Sequence, residues 1–402
     1  MNFLFEHFYG LANLSLLGYV LVTLLFLHVT LIAVTLYYHR DQAHRSVDLH
    51  PAVRHFCRFW LWLNTGSSTR EWVAVHRKHH AHCEKEGDPH SPRLFGLKKV
   101  VLEGAELYRV AARDPETLEK YAKGTPNDWL ENNLYHHPTR SYYGIAFLVV
   151  SNLVLFGVPG IIMIALQLVN MPFLAAGIVN GVAHAKGYRN FVTDDSATNL
   201  WPIGIVIAGE ELHNNHHAFP TSARFSMRPH EVDMGWLHLK LLVWLKLAKV
   251  RRVANPPQLE TTSRATTELD ELRAIIVHRM HVLRHYTHNV TLPVLRREIE
   301  SLGENANSLV HATRRNLSWE KFDEGSRQRL DELAQRHPSF KTVLKFRSEL
   351  KQLWEGAHTS NERLLAEFRE WCTRAEQSGI QGLQEFVVYL KSFRAMREPA
   401  RV

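Results

Sequence analysis

Cysteine is scarce in this 402-residue chain, with three residues in all, Cys57, Cys83 and Cys372. Three scattered thiols cannot build a disulfide scaffold, an all-cysteine zinc site or a four-thiolate iron–sulfur cluster. Glycine (21) and proline (16) are ordinary in number, which excludes collagen-like and wholly disordered chains. The first 39 residues contain no Lys or Arg. A cleaved signal peptide needs a basic start, so the apolar N-terminal stretch reads as an uncleaved membrane anchor. No Gly-x-Gly-x-x-Gly fingerprint is present, so a nicotinamide dinucleotide has no obvious seat. What the chain has in excess is histidine, 26 residues against 21 glycines. Imidazole is the commonest metal-ligating side chain, so this excess points to metal.

The two ends of the chain differ in character. Asn13 to Tyr38 is free of charged residues over 26 positions, about 39 Å as a helix and long enough to cross a bilayer with tilt. A second uncharged stretch, Tyr142 to Ala185, is too long for one helix. Gly157-Val158-Pro159-Gly160 divides it into helices over about 142–156 and 159–184. The first of these is short for a full span, and His55 to Gly66, aromatic-rich and carrying Arg58, reads as interfacial. Arg40, Arg45, Arg54 and the basic 68–141 loop place these segments on the cytoplasmic side by the positive-inside rule. About three spans are expected, with the N-terminus on the far side.

From Arg251 onward there are 25 Lys+Arg and 20 Asp+Glu in 152 residues, with apolar residues at helical spacing. Leu269, Leu272, Ile276, Met280 and Leu283 form one stripe. Leu364, Leu365, Phe368, Trp371 and Cys372 form a second, and Leu383, Phe386, Val387, Leu390 and Phe393 a third. We read an all-α protein: a membrane domain over 1–252 with a histidine-bearing cytosolic cap, and a cytosolic helical extension over 253–402. The linker is marked by Asn255-Pro256-Pro257. The three stripes are expected to pack on each other.

Four histidine groups carry the chemistry. His39 and His44 form HxxxxH, His76, His79 and His80 form HxxHH, and His213, His216 and His217 form a second HxxHH; His184 follows Asn180. Spacings of three and four place each HxxHH on one helix face. The five-residue spacing of His39 and His44 turns by about 140° on an α-helix, so both reach one centre only if the helix frays, bulges or ends there. Nine imidazoles and an amide supply four or five ligands to each of two ions, more than one tetrahedral zinc needs. Imidazole suits Zn, Cu, Fe and Ni alike, so ligand type does not choose the metal. Glu210 and Glu211 stand ready to hold ligand imidazoles or to favour a helix start. A further row, His278, His281, His285 and His288, lies opposite an apolar stripe and reads as solvated surface. His50, His55, His136 and His137 read as interfacial.

The strings HRDQAHR, WVAVHRKHH, GDPH, NGVAHAKGYRNF and GEELHNNHHAFPTSAR, in this order, resemble the integral-membrane fatty acid desaturases of the Δ9 acyl-CoA desaturase-like group, bacterial type, over about residues 15–250. The resemblance implies a di-iron centre that uses O2 and two electrons to remove two hydrogens from adjacent methylenes. It implies that His39, His44, His76, His79, His80, His184, His213, His216 and His217 are iron ligands, and that Asn180 approaches one iron through water. Trp72 matches an aromatic position near the acyl tunnel, and Tyr37-Tyr38 replace smaller residues at its floor. Asp88 and His90 match a segment read as supporting. No His-Pro-Gly-Gly segment of a fused cytochrome b5 is present, so electrons come from a separate ferredoxin or flavoprotein reductase. The implied substrate is an acyl chain on CoA or phospholipid in a bacterial inner membrane, with the histidines facing the cytoplasm. A hydroxylase on the same scaffold and a non-enzymatic metal-binding membrane protein are the alternatives.

Overall fold

The computed structural model describes residues 8–254, 268–301, 306–319, 324–355 and 360–393. The Asn255-Pro256-Pro257 linker and the side chain of Leu269 lie outside the described residues. Among the described residues the chain is all-α apart from two short strand pairs, and it divides into two units. The first runs to Tyr188 and resumes over Asp195–Ala254. The second takes Arg189–Asp194 and everything from Asn255.

In the first unit, α1 (Leu16–Ala33) is capped by the Ser15 hydroxyl, which accepts from the Gly18 N–H. It continues directly into a π-helix, Val34–Ala43. Strand β1 (Val47–Leu49) leads to α2 (Pro51–Thr65) and α3 (Thr69–His82). A capping box starts α3: Ser68 Oγ accepts from Glu71 N–H, and the Glu71 carboxylate accepts from Ser68 N–H. Helix α4 (Pro92–Phe95) packs on α5 (Leu97–Arg113), and α5 and α6 (Pro115–Tyr121) pack on α3. Helices α7 (Tyr143–Phe156) and α8 (Pro159–Met171) form the expected hairpin, broken at Gly157, whose φ of 61° suits glycine. A Cβ at Gly157 would also strike the Phe8 carbonyl.

Among the described residues two helical runs, Leu16–Ala43 and Pro159–His184, are long and apolar enough to cross a membrane, against an expectation of about three. Helix α7 has 14 residues, about 21 Å, which falls short of the roughly 30 Å apolar core of a bilayer. The outer faces of these helices are apolar, with Leu17, Leu21, Leu24, Phe147, Val150, Ile161 and Ile162 exposed. After α8 the chain widens into another π-helix, Pro172–Val179, and closes in a 3-10 turn, Val182–His184. Strand β2 (Ile203–Gly204) pairs in parallel with β3 (Val232–Asp233), flanking the short α9 (His213–Ala218). Helix α10 (Met234–Trp244) then leads to β4 (Ala248–Val250), antiparallel to β1 with Val47 opposite Val250.

The second unit is a set of helices: α11 (Glu268–Val277), α12 (Arg279–Tyr286), α13 (Leu292–Ser301), α14 (Ala306–Trp319), α15 (Glu324–Arg336), α16 (Pro338–Glu355), α17 (Asn361–Glu376) and α18 (Gln381–Lys391). The stripes do converge: Leu283, Trp371, Cys372, Leu383, Phe386 and Leu390 share one buried core. The histidine row does not behave as a solvated face. The helix breaks at His278 and widens into a π-turn over Thr287–Thr291. His278 is buried, and the His285 ring stacks on Tyr389 with centroids 3.6 Å apart. His281 meets Phe191 edge-on at 5.3 Å. A continuous-helix projection places these rings outward; the break rotates them into aromatic packing.

Candidate metal centre

The first box shows how the local fold answers a spacing problem. His39 and His44 sit on the π-helix, where the His44 N–H donates to the His39 carbonyl five residues back. This wider turn brings their rings to 5.0 Å, which an α-helix would splay apart. Arg40, between them, is fully buried; its guanidinium donates to Asp233 Oδ1 at 2.8 Å and lies 4.0 Å over the Phe225 ring. Asp233 also accepts from the N–H groups of Phe225 and Trp236. The pair therefore fastens the first box to the segment after the third. Arg77, inside the second box, donates to the carbonyls of Gln42 and Ala43 and so fixes the end of the π-helix.

The nine histidines converge on two clusters. Five of them, His39, His44, His76, His80 and His216, form the first, with all ligating atoms within 4.8 Å of one another. Nε2 of His39 lies 3.0 Å from Nε2 of His216, and His216 lies 3.0 Å from His80; His44 and His76 are 2.8 Å apart. The second cluster contains His79, His184 and His217 with Cys83. His213 joins it through Nε2, 2.9 Å from His184 Nε2, with its ring 4.5 Å from His217. Neither HxxHH turns all three imidazoles one way. On α3, His76 and His80 go to the first cluster and His79 to the second. On α9, His213 and His217 go to the second cluster and His216 to the first. A helix turn separates i and i+4 by little and rotates i+3 to the other side of that line, which divides each box between two centres.

Carboxylates orient the rings. His39 Nδ1 donates to Glu210 at 2.7 Å, His79 Nδ1 to Asp88 at 3.0 Å, His184 Nδ1 to Glu84 at 3.2 Å and His217 Nδ1 to Asp195 at 2.8 Å. Each bond turns the opposite nitrogen, Nε2, inward. Thr35 supports Glu210, and Ser196 supports Glu84 through its N–H and its hydroxyl. Glu84 adopts φ 59°, a left-handed conformation uncommon outside glycine, which is held by these contacts. Glu211 differs from Glu210: its carboxylate accepts from the N–H groups of Ile207 and Gly209 and holds no imidazole. Of the four orienting acids, Glu84 and Asp195 carried no local sequence signal.

Burial sets the electrostatics. It holds His44, His76, His80, His213 and His216 well below the ordinary imidazole range, with neighbouring rings adding to the effect. His217 is pushed down to about 4, burial outweighing Asp195. For His79, burial opposes the cation, but Asp88, Asp195 and Glu84 together lift it. Most of the cluster is therefore a set of neutral imidazoles with converging lone pairs. His213 Nδ1, His216 Nδ1 and His217 Nε2 are buried without a hydrogen-bond partner among the described residues.

An apolar cavity abuts both clusters. His39, His76, His79 and His213 line it beside Leu31, Val34, Trp72, Met171, Val179 and Ile207. Asn180, at the end of the Pro172–Val179 π-helix, lines it as well. Trp72 is in the wall and stacks on His76 at 4.8 Å. Tyr38 does not line it: its ring stacks behind Trp72 at 5.2 Å, and its hydroxyl donates to the Ser67 carbonyl. His90, read as supporting, is buried against His79 and reaches the cavity wall.

Family models match both parts of the chain. Residues 14–244, more than half of the chain, match the family model described as fatty acid desaturase. Residues 264–396, about a third, match a model described as transposase. A probable chloroplastic lipid desaturase of Arabidopsis thaliana is 30% identical over 232 residues, 57% of this chain and 62% of the relative. An acyl-CoA 5-desaturase of Anemone leveillei is 32% identical over 224 residues, 53% of this chain and 65% of the relative. An sn-1 stearoyl-lipid 9-desaturase of Synechocystis is 30% identical over 252 residues, 58% of this chain and 71% of the relative. The chain thus spans a little under two thirds of the length of the first two. With the histidine boxes, their order and these matches together, the chain belongs to the fatty acid desaturase family.

Proposed function

We propose that the chain is a di-iron, O2-dependent membrane desaturase that introduces a cis double bond, at Δ9, into a saturated acyl chain carried on CoA or phospholipid. The observation that carries this reading is the convergence of nine imidazoles from four segments on two clusters beside one apolar cavity. The residues fit a metal pair. Adjacent ligands at about 2.0–2.1 Å from one ion, set at right angles, stand about 2.9 Å apart. The Nε2–Nε2 separations here are 2.8–3.0 Å. Neutral imidazoles at that distance all offer lone pairs, and a cation satisfies them together. In this reading His39, His44, His76, His80 and His216 hold one iron. His79, His184, His213 and His217 hold the other, with Asn180 near it.

An unactivated methylene has neither an acidic proton nor a leaving group, so a redox metal must supply the hard step. Bound iron would supply the oxidation: O2, two electrons and two protons take two hydrogens from adjacent carbons and leave two waters. The protein's own part is orientation and dryness. Glu210, Asp88, Glu84 and Asp195 hold the rings. Trp72, Met171, Val179 and Ile207 offer an apolar wall to a hydrocarbon tail. The exposed apolar faces of α1, α7 and α8 suit lipid, not water. The protein is read as integral to a bacterial inner membrane with its histidine boxes toward the cytoplasm. A separate ferredoxin or flavoprotein reductase delivers the electrons. The membrane domain, residues 1–252, is taken to carry the chemistry and residues 253–402 to form a cytosolic extension.

Expression of the full chain in a host with a suitable donor, followed by mass spectrometry with double-bond localisation, tests this. The expected product is a cis-Δ9 monounsaturated chain on CoA or phospholipid. Hydroxylated chains alone would reject desaturation.

A further inference from the structure

Two of the three cysteines are ordinary core residues. Cys57 packs with Leu49 and Leu61, and Cys372 lies in the core of the second unit. Cys83 has different company. It caps the C-terminus of α3 four residues after His79, a spacing that puts both side chains on one helix face. Asp88 occupies His79 Nδ1, leaving Nε2 turned inward, and Cys83 Sγ stands 3.7 Å from that Nε2. It is also 3.9 Å from His217 Nδ1. The sulfur and the ligating nitrogens of His79, His184 and His217 all lie within 4.8 Å of one another.

The first of these distances has a metal-site meaning; His217 Nδ1 donates to Asp195, so its 3.9 Å separation from the sulfur is a packing contact. A sulfur at about 2.3 Å and a nitrogen at about 2.0–2.1 Å from one tetrahedral ion are about 3.6 Å apart. A second buried donor waits in the same cluster. The His217 side chain is 1% exposed, its Nδ1 is held by Asp195, and its Nε2 has no hydrogen-bond partner among the described residues. That ring is surrounded by the rings of His184 and His213 at 4.9 and 4.5 Å.

We propose that Cys83 Sγ is a ligand of the metal ion in the second cluster. The two centres are then chemically unlike: one holds five imidazoles, and the other holds four imidazoles and a thiolate. Binding breaks the S–H bond, forms a metal–sulfur bond and releases the proton to solvent, with no change of oxidation state. A thiolate is the softer donor, so the second centre is the more tolerant of softer ions such as zinc. This inference rests on the reading of the clusters as a metal pair.

The test uses the full chain, purified and loaded with Fe(II) or Co(II), with metal counted separately from ligation. X-ray absorption at the iron edge is expected to require a sulfur scatterer at about 2.3 Å. The cobalt protein is expected to show a sulfur-to-cobalt charge-transfer band that is lost in Cys83→Ser and Cys83→Ala while bound metal stays near two per chain. The wild-type absorption measurement does not depend on either variant folding. Two bound ions with only nitrogen and oxygen neighbours would overturn the thiolate and leave the metal pair standing. A chain that binds no metal would overturn both.

Discussion

The molecule contains two histidine-rich regions that look alike in sequence and end differently. The second box, His76 to His80, and the row from His278 to His288 both repeat imidazole at three- and four-residue spacing. The box meets histidines from three other segments and forms part of two clusters. The row meets aromatic rings: His285 lies on Tyr389, His278 faces Phe393 and His281 faces Phe191. Spacing makes a helix face, and what stands opposite that face decides whether it joins an imidazole cluster or packs. In the first unit, three other histidine segments and four orienting carboxylates supply the opposite face. In the second, phenyl and phenol rings do.

The comparison breaks most sharply at the ligands. His76→Ala or His216→Ala is expected to abolish turnover and release metal from the first cluster while leaving membrane insertion intact, read by product analysis and metal counting. His285→Ala is expected to leave turnover and metal unchanged. Active His76→Ala and His216→Ala variants together would remove the ligand assignment. Next in size are the orienting acids. Asp88→Asn and Glu210→Gln are expected to lower metal affinity or activity by roughly 10–100-fold, since such partners fix the ring and its tautomer. Asp233→Ala strands the buried Arg40 cation and is expected to cost about 3–5 kcal/mol in thermal or denaturant unfolding.

Acid gives a graded version of the same contrast. His44, His76, His80, His213, His216 and His217 are held below their unfolded value of 6.5 by burial. Below pH 6.5 the unfolded chain takes up protons that the folded, metal-free chain refuses, so stability falls as pH falls. Each group adds to this loss until it titrates in the folded state. Melting of the metal-free chain from pH 7 to 5 should show this loss, and a flat profile would contradict the burial of neutral imidazoles. The smallest effect is expected at the packed row, where losing the ring stack in His285→Ala costs about 1 kcal/mol.

Much of this was legible in the sequence, and the parts that were not share a cause. The five-residue gap between His39 and His44 demanded a departure from the α-helix, and the π-helix supplies it. Gly157 marked the hairpin, and the apolar stripes marked the second core. Glu84 and Asp195 were invisible because their role is made by tertiary approach: each reaches its histidine, His184 or His217, from a distant loop. Glu210 was visible, whereas its neighbour Glu211 turned to backbone amides, a choice that only the loop geometry reveals. The row at His278 misled because a helical projection assumes an unbroken helix. Cys83 was hidden by arithmetic: three thiols are too few for a cysteine site, but one thiol suffices in a histidine site.

Metal counting on the purified full chain, alongside His285→Ala and His216→Ala, tests the central claim most directly. The wild type and His285→Ala are expected to carry about two irons per chain, and His216→Ala distinctly fewer, consistent with a di-iron site built from facing side chains. A wild-type chain from iron-supplied cells that holds zinc alone, or no metal, would contradict the account.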